Sequence, residues 1–154
     1  MTLQLFAPCP VEMQSECFRV RYQSFCIENE WEPKNSAGIE YETKDGWSQF
    51  VLIVEDGKPV ATCRVTPLQK HKDGAEISRV AIVNACVDRR TARKMLVEGI
   101  TTISRKMLIK HWFALMEPRF IKLNKMYGLA WEIVGPLIEH HGKRYPVYMK
   151  APLL

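Results

Sequence analysis

Residues 50–83 read FVLIVEDGKPVATCRVTPLQKHKDGAEISRVAIV, and this stretch decides the fold. Residues 50–55 form an apolar run rich in β-branched side chains, and 60–66 repeat that character after the break Asp56-Gly57-Lys58-Pro59. Two such runs around an Asp-Gly step predict a hairpin with a four-residue turn. A second polar turn over 71–74 leads into 77–83, a third strand. From 88 to 110 the apolar residues Ala92, Leu96, Ile100, Ile103 and Met107 then fall three or four apart. That period predicts an amphipathic helix, with Asp88 as its N-cap.

Toward the N-terminus, residues 2–6 predict a short strand ended by Pro8 and Pro10. Cys17, Val20 and Phe25 recur at helical spacing over 11–29, with Pro10 suited to the first turn. Residues 32–47 are polar and hold Pro33, Gly38 and Gly46, which predicts a long loop of the kind that closes over ligands. Toward the C-terminus, 112–116 predict a buried strand. A helix opens at Pro118 and ends near Gly128, and short β pieces follow at 130–134 and 146–151. The order predicts one α/β (α+β) domain over 1–154, a mixed central sheet flanked by helices.

The composition, 47% hydrophobic and 25% charged over 154 residues, excludes a disordered tail or a fibre. No apolar run is long enough to cross a membrane, and the start has no cationic segment ahead of an apolar one, so no transmembrane segment or secretory leader is expected. The five cysteines include no CxxC, which favours buried, reduced thiols and a cytoplasmic setting. The net charge of +5 hides a division: residues 1–60 carry ten acidic and five basic side chains, residues 61–154 seven acidic and seventeen basic. The basic half suits an anionic partner, and the acidic half argues against a nucleic-acid coat.

Three constellations hold chemistry. Arg21 and Phe25 stand four apart on the first helix, followed by Trp31 and the acidic trio Glu40, Glu42 and Asp45. Such an arginine pairs with carboxylates of the next loop, unless those carboxylates are merely solvated. Glu76 and Ser78 alternate with Ile77 and Arg79, which sets the first two on one face of a strand. Glu76 there is either a general base or the partner of Arg64 in a cross-strand ion pair. Arg89, Arg90, Arg93 and Lys94 crowd a helix N-terminus, where basic side chains are locally unfavourable; they either meet an anion or form a solvated face. His140 and His141 lack a third spaced ligand, so they predict a turn and no metal site. Met107, Met116 and Met126 read as core filler, and Cys63 and Cys86 as core thiols.

Taken together, Arg21-x3-Phe25-x5-Trp31, Glu40-Tyr41-Glu42-x-x-Asp45, Cys63-Arg64-Val65 and Glu76-x-Ser78-Arg79 resemble the acyl-homoserine lactone synthases of the LuxI type. The later pieces Met116-Glu117-Pro118, Gly128, Ile133-Val134-Gly135-Pro136 and His141-Gly142-Lys143-Arg144-Tyr145-Pro146 are more similar to the N-acyl amino acid synthases and exosortase-associated acyltransferases. Both groups share the GNAT-like acyltransferase fold. Where the first group's pattern has Asp, this chain has Glu42, one methylene longer.

The resemblance implies transfer of a fatty acyl group from an acyl-carrier-protein phosphopantetheine thioester, or from acyl-CoA, to the amine of a small amino-acid-like acceptor. S-adenosylmethionine as acceptor, giving an autoinducer synthase, is the alternative, and a non-catalytic basic binding module the second alternative. It implies no tightly bound cofactor. Glu76 and Ser78 are then the catalytic candidates, with an oxyanion donor among the backbone N–H groups of 80–83. Arg21, Glu42, Asp45, Arg64 and Arg79 would form an ion network shaping the acceptor site, and Phe25 and Trp31 would close it. Arg89, Arg90, Arg93 and Lys94 would meet the phosphopantetheine phosphate and the acidic carrier protein. Few aromatics interleave with these cations, so no nucleic-acid partner is expected.

Overall fold

A computed structural model describes residues 2–152. Strand β1 (Leu3–Phe6) precedes helix α1 (Gln14–Arg21), which continues as a wider π-helical segment over Tyr22–Glu28. Strands β2 (Gln49–Glu55), β3 (Lys58–Pro67) and β4 (Gly74–Ile82) form the meander, followed by α2 (Arg89–Lys106). The chain ends in β5 (His111–Met116), α3 (Pro118–Met126), β6 (Glu132–Ile133), β7 (Ile138–Glu139) and β8 (Lys143–Lys150). The sheet order is β1-β2-β3-β4-β5-β8-β6, with β7 also on β8. Neighbours are antiparallel except β4 and β5, which the α2 crossover makes parallel. The mixed sheet flanked by helices is the expected class.

Alternation along β2 explains why the sheet is covered on both faces. Phe50 meets Phe18 of α1 edge-on, ring centroids 5.5 Å apart. Its neighbour Val51 points the other way, against α2. Gly99 is what lets α2 come so close: a Cβ there would stand 2.6 Å from Val51 Cγ1. The Asp88 side chain caps α2 as expected, accepting the Thr91 N–H at 3.1 Å. At the far end Trp112 Nε1 donates to Ser104 Oγ at 2.9 Å and pins β5 under the helix. All five cysteines are free and buried. No helix among the described residues is long and apolar enough to cross a membrane.

Several local expectations shift. The hairpin turn is the two residues Asp56-Gly57, both at positive φ, so Lys58 and Pro59 already belong to β3. Both positions in the left-handed region match the twist of a tight hairpin, for which Asp-Gly is suited. β4 starts at Gly74 and stops at Ile82, and α2 stops at Lys106. The loop over 32–47 holds a 3₁₀ turn, Thr43–Trp47. Gly128, at φ +83°, ends α3 as expected, but Met126 is 83% exposed and fills no core. β8 starts at Lys143 and β7 was not foreseen, because two-residue strands leave no periodic signal.

Gly99→Ala, which helix propensity alone would favour by about 1 kcal/mol, should lower Tm, because overpacking against Val51 costs roughly 1–3 kcal/mol. The double change Gly99→Ala with Val51→Ala should recover part of that loss in thermal melts.

Candidate active site

Three arginines and three carboxylates meet on the α1 face of the sheet. Cross-strand register brings Phe50, Arg64 and Ser78 side by side, with Thr66 and Glu76 one pair further along. Arg64 is thus a central-strand residue on a buried face, its side chain 2% exposed. Asp45, from the 3₁₀ turn, lies at the centre of the cluster with a side-chain exposure of 0%. Its Oδ1 accepts from Arg21 Nη1 at 2.7 Å and Arg64 Nη1 at 3.2 Å. Its Oδ2 accepts from Arg21 Nη2 at 3.0 Å and from the Glu42 backbone N–H at 2.7 Å. One carboxylate therefore ties α1, β3 and the loop together. A fork-to-fork pair with Arg21 makes this geometry specific to arginine.

Glu42 joins the second half of the cluster. It takes Arg64 Nη1 on Oε1 at 2.5 Å and Arg79 Nη2 on Oε2 at 2.8 Å. Glu40 takes Arg21 Nη2, and its other oxygen lies 3.4 Å from Arg79 Nε, both atoms buried without a hydrogen bond. Arg64 Nε donates to Ser78 Oγ at 3.1 Å. Glu76 Oε1 faces Lys44 Nζ at 3.3 Å and Arg64 Nη2 at 3.8 Å, so its ion pair with Arg64 is the longest that arginine makes. Burial pushes the Glu42 carboxyl up, but the hydrogen bonds from Arg79 and Arg64 outweigh it and hold the group at about 2. Asp45 is likewise opposed by burial and lowered by its hydrogen bond from Arg21.

Arg79 reaches this cluster by a device the alternation did not predict. The β3–β4 register shifts between Thr62 and Arg64, and Arg79 stands at φ +52°. The bulge adds a residue to β4, so Arg79 falls on the same face as Ser78 instead of the face of Ile77. Its guanidinium lies 6.0 Å from the Phe25 ring centroid. Arg21 and Phe25, on either side of the point where the winding widens at Tyr22, are both buried, as their spacing of four predicts.

Beside the bulge the sheet opens. β4 and β5 pair only at Gly74–His111, Ala75–Trp112 and Glu76–Phe113. Beyond those residues, the carboxyl ends of these two strands, 77–82 and 114–116, have no partner across the gap. Carboxyl ends of parallel strands are the usual place for ligands in open sheets. Val83, expected as an oxyanion donor, is spent on Val60 O at 3.0 Å, and Ala81, two residues back in the same ladder, faces β3 likewise, which leaves Val80 and Ile82 as candidates.

A clasp bridges the two halves over this gap. Trp31 packs on Phe25, ring centroids 5.7 Å apart, and stacks on His141 at 5.3 Å with an interplanar angle of 5°. His141 Nε2 is 3.1 Å from Glu32 Oε1, and the Arg144 guanidinium lies 5.5 Å from the Trp31 ring centroid. His140 and His141 do occupy a turn, between β7 and β8. Next to the clasp, a cavity of about 360 Å³ is lined by Cys26, Glu32, Asn35, Ile39, Glu40 and neighbouring loop residues. Glu40, a member of the acidic trio, belongs to this site, as do Glu32, His141 and Arg144, which were not among the candidate site residues. The closeness of 32 and 141, 109 residues apart, carries no sequence signal.

The basic cluster is divided. Arg89 turns its Nη1 back to donate to Val83 O at 2.9 Å and to Ile82 O at 3.4 Å, which ties it to the end of β4 and leaves its other guanidinium nitrogens uncommitted. Arg90 and Lys94 are exposed and Arg93 half-buried. Among the described residues no group of three or more His, Cys, Asp or Glu side chains is placed to hold a metal ion.

No protein-family model matches the sequence, and no curated relative matches it. Solved structures do match the fold. BjaI, a CoA-dependent acyl-homoserine lactone synthase solved with SAM and isopentyl-CoA, aligns over 97% of this chain and 83% of its own, with a TM-score of 0.80 and 16% identity. Another CoA-dependent acyl-homoserine lactone synthase, MesI, aligns over 98% and 89% with a TM-score of 0.77 and 18% identity. An N-acetyltransferase from Lactobacillus plantarum, so described provisionally, aligns over 99% and 100% with a TM-score of 0.75 and 11% identity. The chain therefore has the GNAT-like acyltransferase fold expected from its motifs.

Removing the central carboxylate by Asp45→Ala leaves Arg21 short of its main counter-charge and should cost roughly 3–5 kcal/mol in urea unfolding. The Glu42 carboxyl, lowered from 4.5 to about 2, stabilises the fold fully above its unfolded value. Stability measured against pH should therefore fall as pH drops from 4.5 toward 2, and Glu42→Gln should flatten that slope.

Proposed function

We propose that this chain is an N-acyltransferase that moves a fatty acyl group from a phosphopantetheine thioester, carried by acyl carrier protein, to the amine of a small amino-acid-type acceptor. The observation that carries this reading is the parted β4–β5 pair with Glu76 at its last paired position and the arginine–carboxylate cluster on the same face. A narrow gap between strand ends takes an extended thioester arm. The carboxylates beside it, Glu42 and Glu76 at the rim and Glu32 and Glu40 at the cavity, suit a cationic acceptor.

The acceptor ammonium gives a proton to Glu76, directly or through a water. The free amine attacks the thioester carbonyl, and the tetrahedral oxyanion takes a hydrogen bond from the backbone N–H of Val80 or Ile82 on the open β4 edge. The C–S bond then breaks, the amide nitrogen sheds its extra proton and the departing thiolate takes one up. Ser78, oriented by Arg64, holds the far side of that arginine and leaves its hydroxyl proton for the acceptor. Arg21, Arg64 and Asp45 are sealed from solvent and act as positioning residues, while Glu42 and Arg79 line the acceptor side. Phe25 and Trp31 exclude water from it. Arg90, Arg93 and Lys94 steer the acidic carrier protein.

S-adenosylmethionine as the acceptor is the second reading. It is favoured by the motifs of the first half and by the likeness to BjaI, whose structure holds SAM. Either acceptor presents a cationic α-amine to the same carboxylates.

Glu76→Gln should leave the melting temperature within a few degrees of wild type and lower turnover by roughly 10²–10⁴-fold, measured by thiol release from an acyl-phosphopantetheine donor with an amino acid or S-adenosylmethionine. Near-normal turnover would remove Glu76 as the base.

A further inference from the structure

The N-terminal end of a helix such as α2, with the turn before it, ordinarily offers an anion free backbone N–H groups that carry partial positive charge. In this chain the cradle is filled from within. Glu55, at the end of β2 and 6% exposed, takes the Val87 N–H on Oε1 at 2.9 Å and the Asp88 N–H on Oε2 at 3.1 Å. Glu28, at the end of the π-helical segment, takes the Asn84 N–H on both oxygens, at 3.0 and 3.1 Å. Cys86 N–H donates to Val83 O, and Thr91 N–H to the Asp88 side chain. Five of the eight amides from Asn84 to Thr91 thus already donate inside the protein.

Charge adds to the occupancy. Three carboxylates, Glu28, Glu55 and Asp88, border the turn, against one nearby cation, Arg89, whose Nη1 is held by the carbonyls of Ile82 and Val83. The remaining cations lie further along: Arg90, Arg93 and Lys94 are three and four residues apart, hence on one face of α2, outside the turn. An incoming diphosphate would meet negative charge where it needs donors. A single phosphate on a flexible arm can stop short of the turn and be met by the side-chain cations.

We propose that Glu28 and Glu55 set donor specificity by occupying the turn's amides, so that the protein takes thioesters on a single-phosphate phosphopantetheine arm and discriminates against the nucleotide diphosphate of coenzyme A. This rests on the acyl-transfer reading above and deepens it. Glu55 is the buried structural member; Glu28 is half-buried at the surface and is the one that can be changed without disturbing the core.

The test is calorimetric binding of coenzyme A and of 4′-phosphopantetheine to wild type, Glu28→Ala and Glu28→Gln, with thiol-release kinetics on the two acyl thioesters. Wild type should bind coenzyme A no more tightly than phosphopantetheine. Glu28→Ala should tighten coenzyme A by roughly tenfold, one charge-assisted hydrogen bond's worth, and leave phosphopantetheine unchanged. Glu28→Gln, which keeps an acceptor oxygen and loses the charge, should fall between, and the change should appear in KM for the acyl-CoA donor. A wild-type preference of tenfold or more for coenzyme A, or an unchanged ratio in Glu28→Ala, would overturn the specificity proposal while leaving acyl transfer standing. If folded wild type binds neither compound and releases no thiol from either acyl thioester or from the same acyl group on acyl carrier protein, both the proposal and the acyl-transfer reading fall.

Discussion

Everything near the candidate site depends on one buried carboxylate. Asp45 takes four donors from three parts of the chain: two from Arg21 in α1, one from Arg64 in β3 and one from the loop's own backbone at Glu42. Without it Arg21 would keep Glu40 alone and Arg64 only Glu42 and the more distant Glu76 against a desolvation that costs several kcal/mol per buried cation. With it, the loop over 29–48 is fixed to the sheet although few of its residues are apolar. The loop in turn fixes Glu42 and Lys44 beside Glu76, and Trp31 against the C-terminal hairpin. Arg21 and Asp45 thus decide where the half-exposed carboxylates stand.

Topology supplies the second half of the arrangement. A strictly antiparallel meander would leave no cleft within the sheet. The α2 crossover lays β5 parallel to β4, and the pair holds for three positions before it parts. The bulge at Arg79 adds twist to β4 just where the partner is lost, and brings a third arginine to the cluster. Gly99 allows the crossover helix to seat against Val51 and keeps the sheet covered on the face away from the site.

The elements with period were legible in the sequence. The apolar spacing of α2, its Asp88 cap and the Pro118 and Gly128 limits of α3 are all local signals, and they read correctly. The arginines and carboxylates of the cluster were legible as motifs, because residue types at fixed spacing carry the resemblance. What the chain did not announce was anything made by distant partners or by a break in alternation. Nothing in Ser78-Arg79-Val80 marks a bulge, since Arg79 is not a glycine and yet stands at φ +52°. Glu28 and Asn84 are 56 residues apart, and only the folded sheet brings that carboxylate to the turn. That Arg89 spends one nitrogen on β4 could not be read either, because its targets are backbone carbonyls, which every sequence has. Met126 fitted a core pattern on α3 but lies on the helix's open side.

The most direct measurement is mass spectrometry of lipid extracts from cells expressing the chain, against extracts from cells holding an empty vector and cells expressing Glu76→Gln. The account predicts a series of N-acylated amino acids or N-acyl-homoserine lactones present only with the wild-type chain, the head group naming the acceptor. An abundant, folded wild-type protein that yields no new acylated amine, even when fatty acids and both kinds of acceptor are supplied, would contradict it.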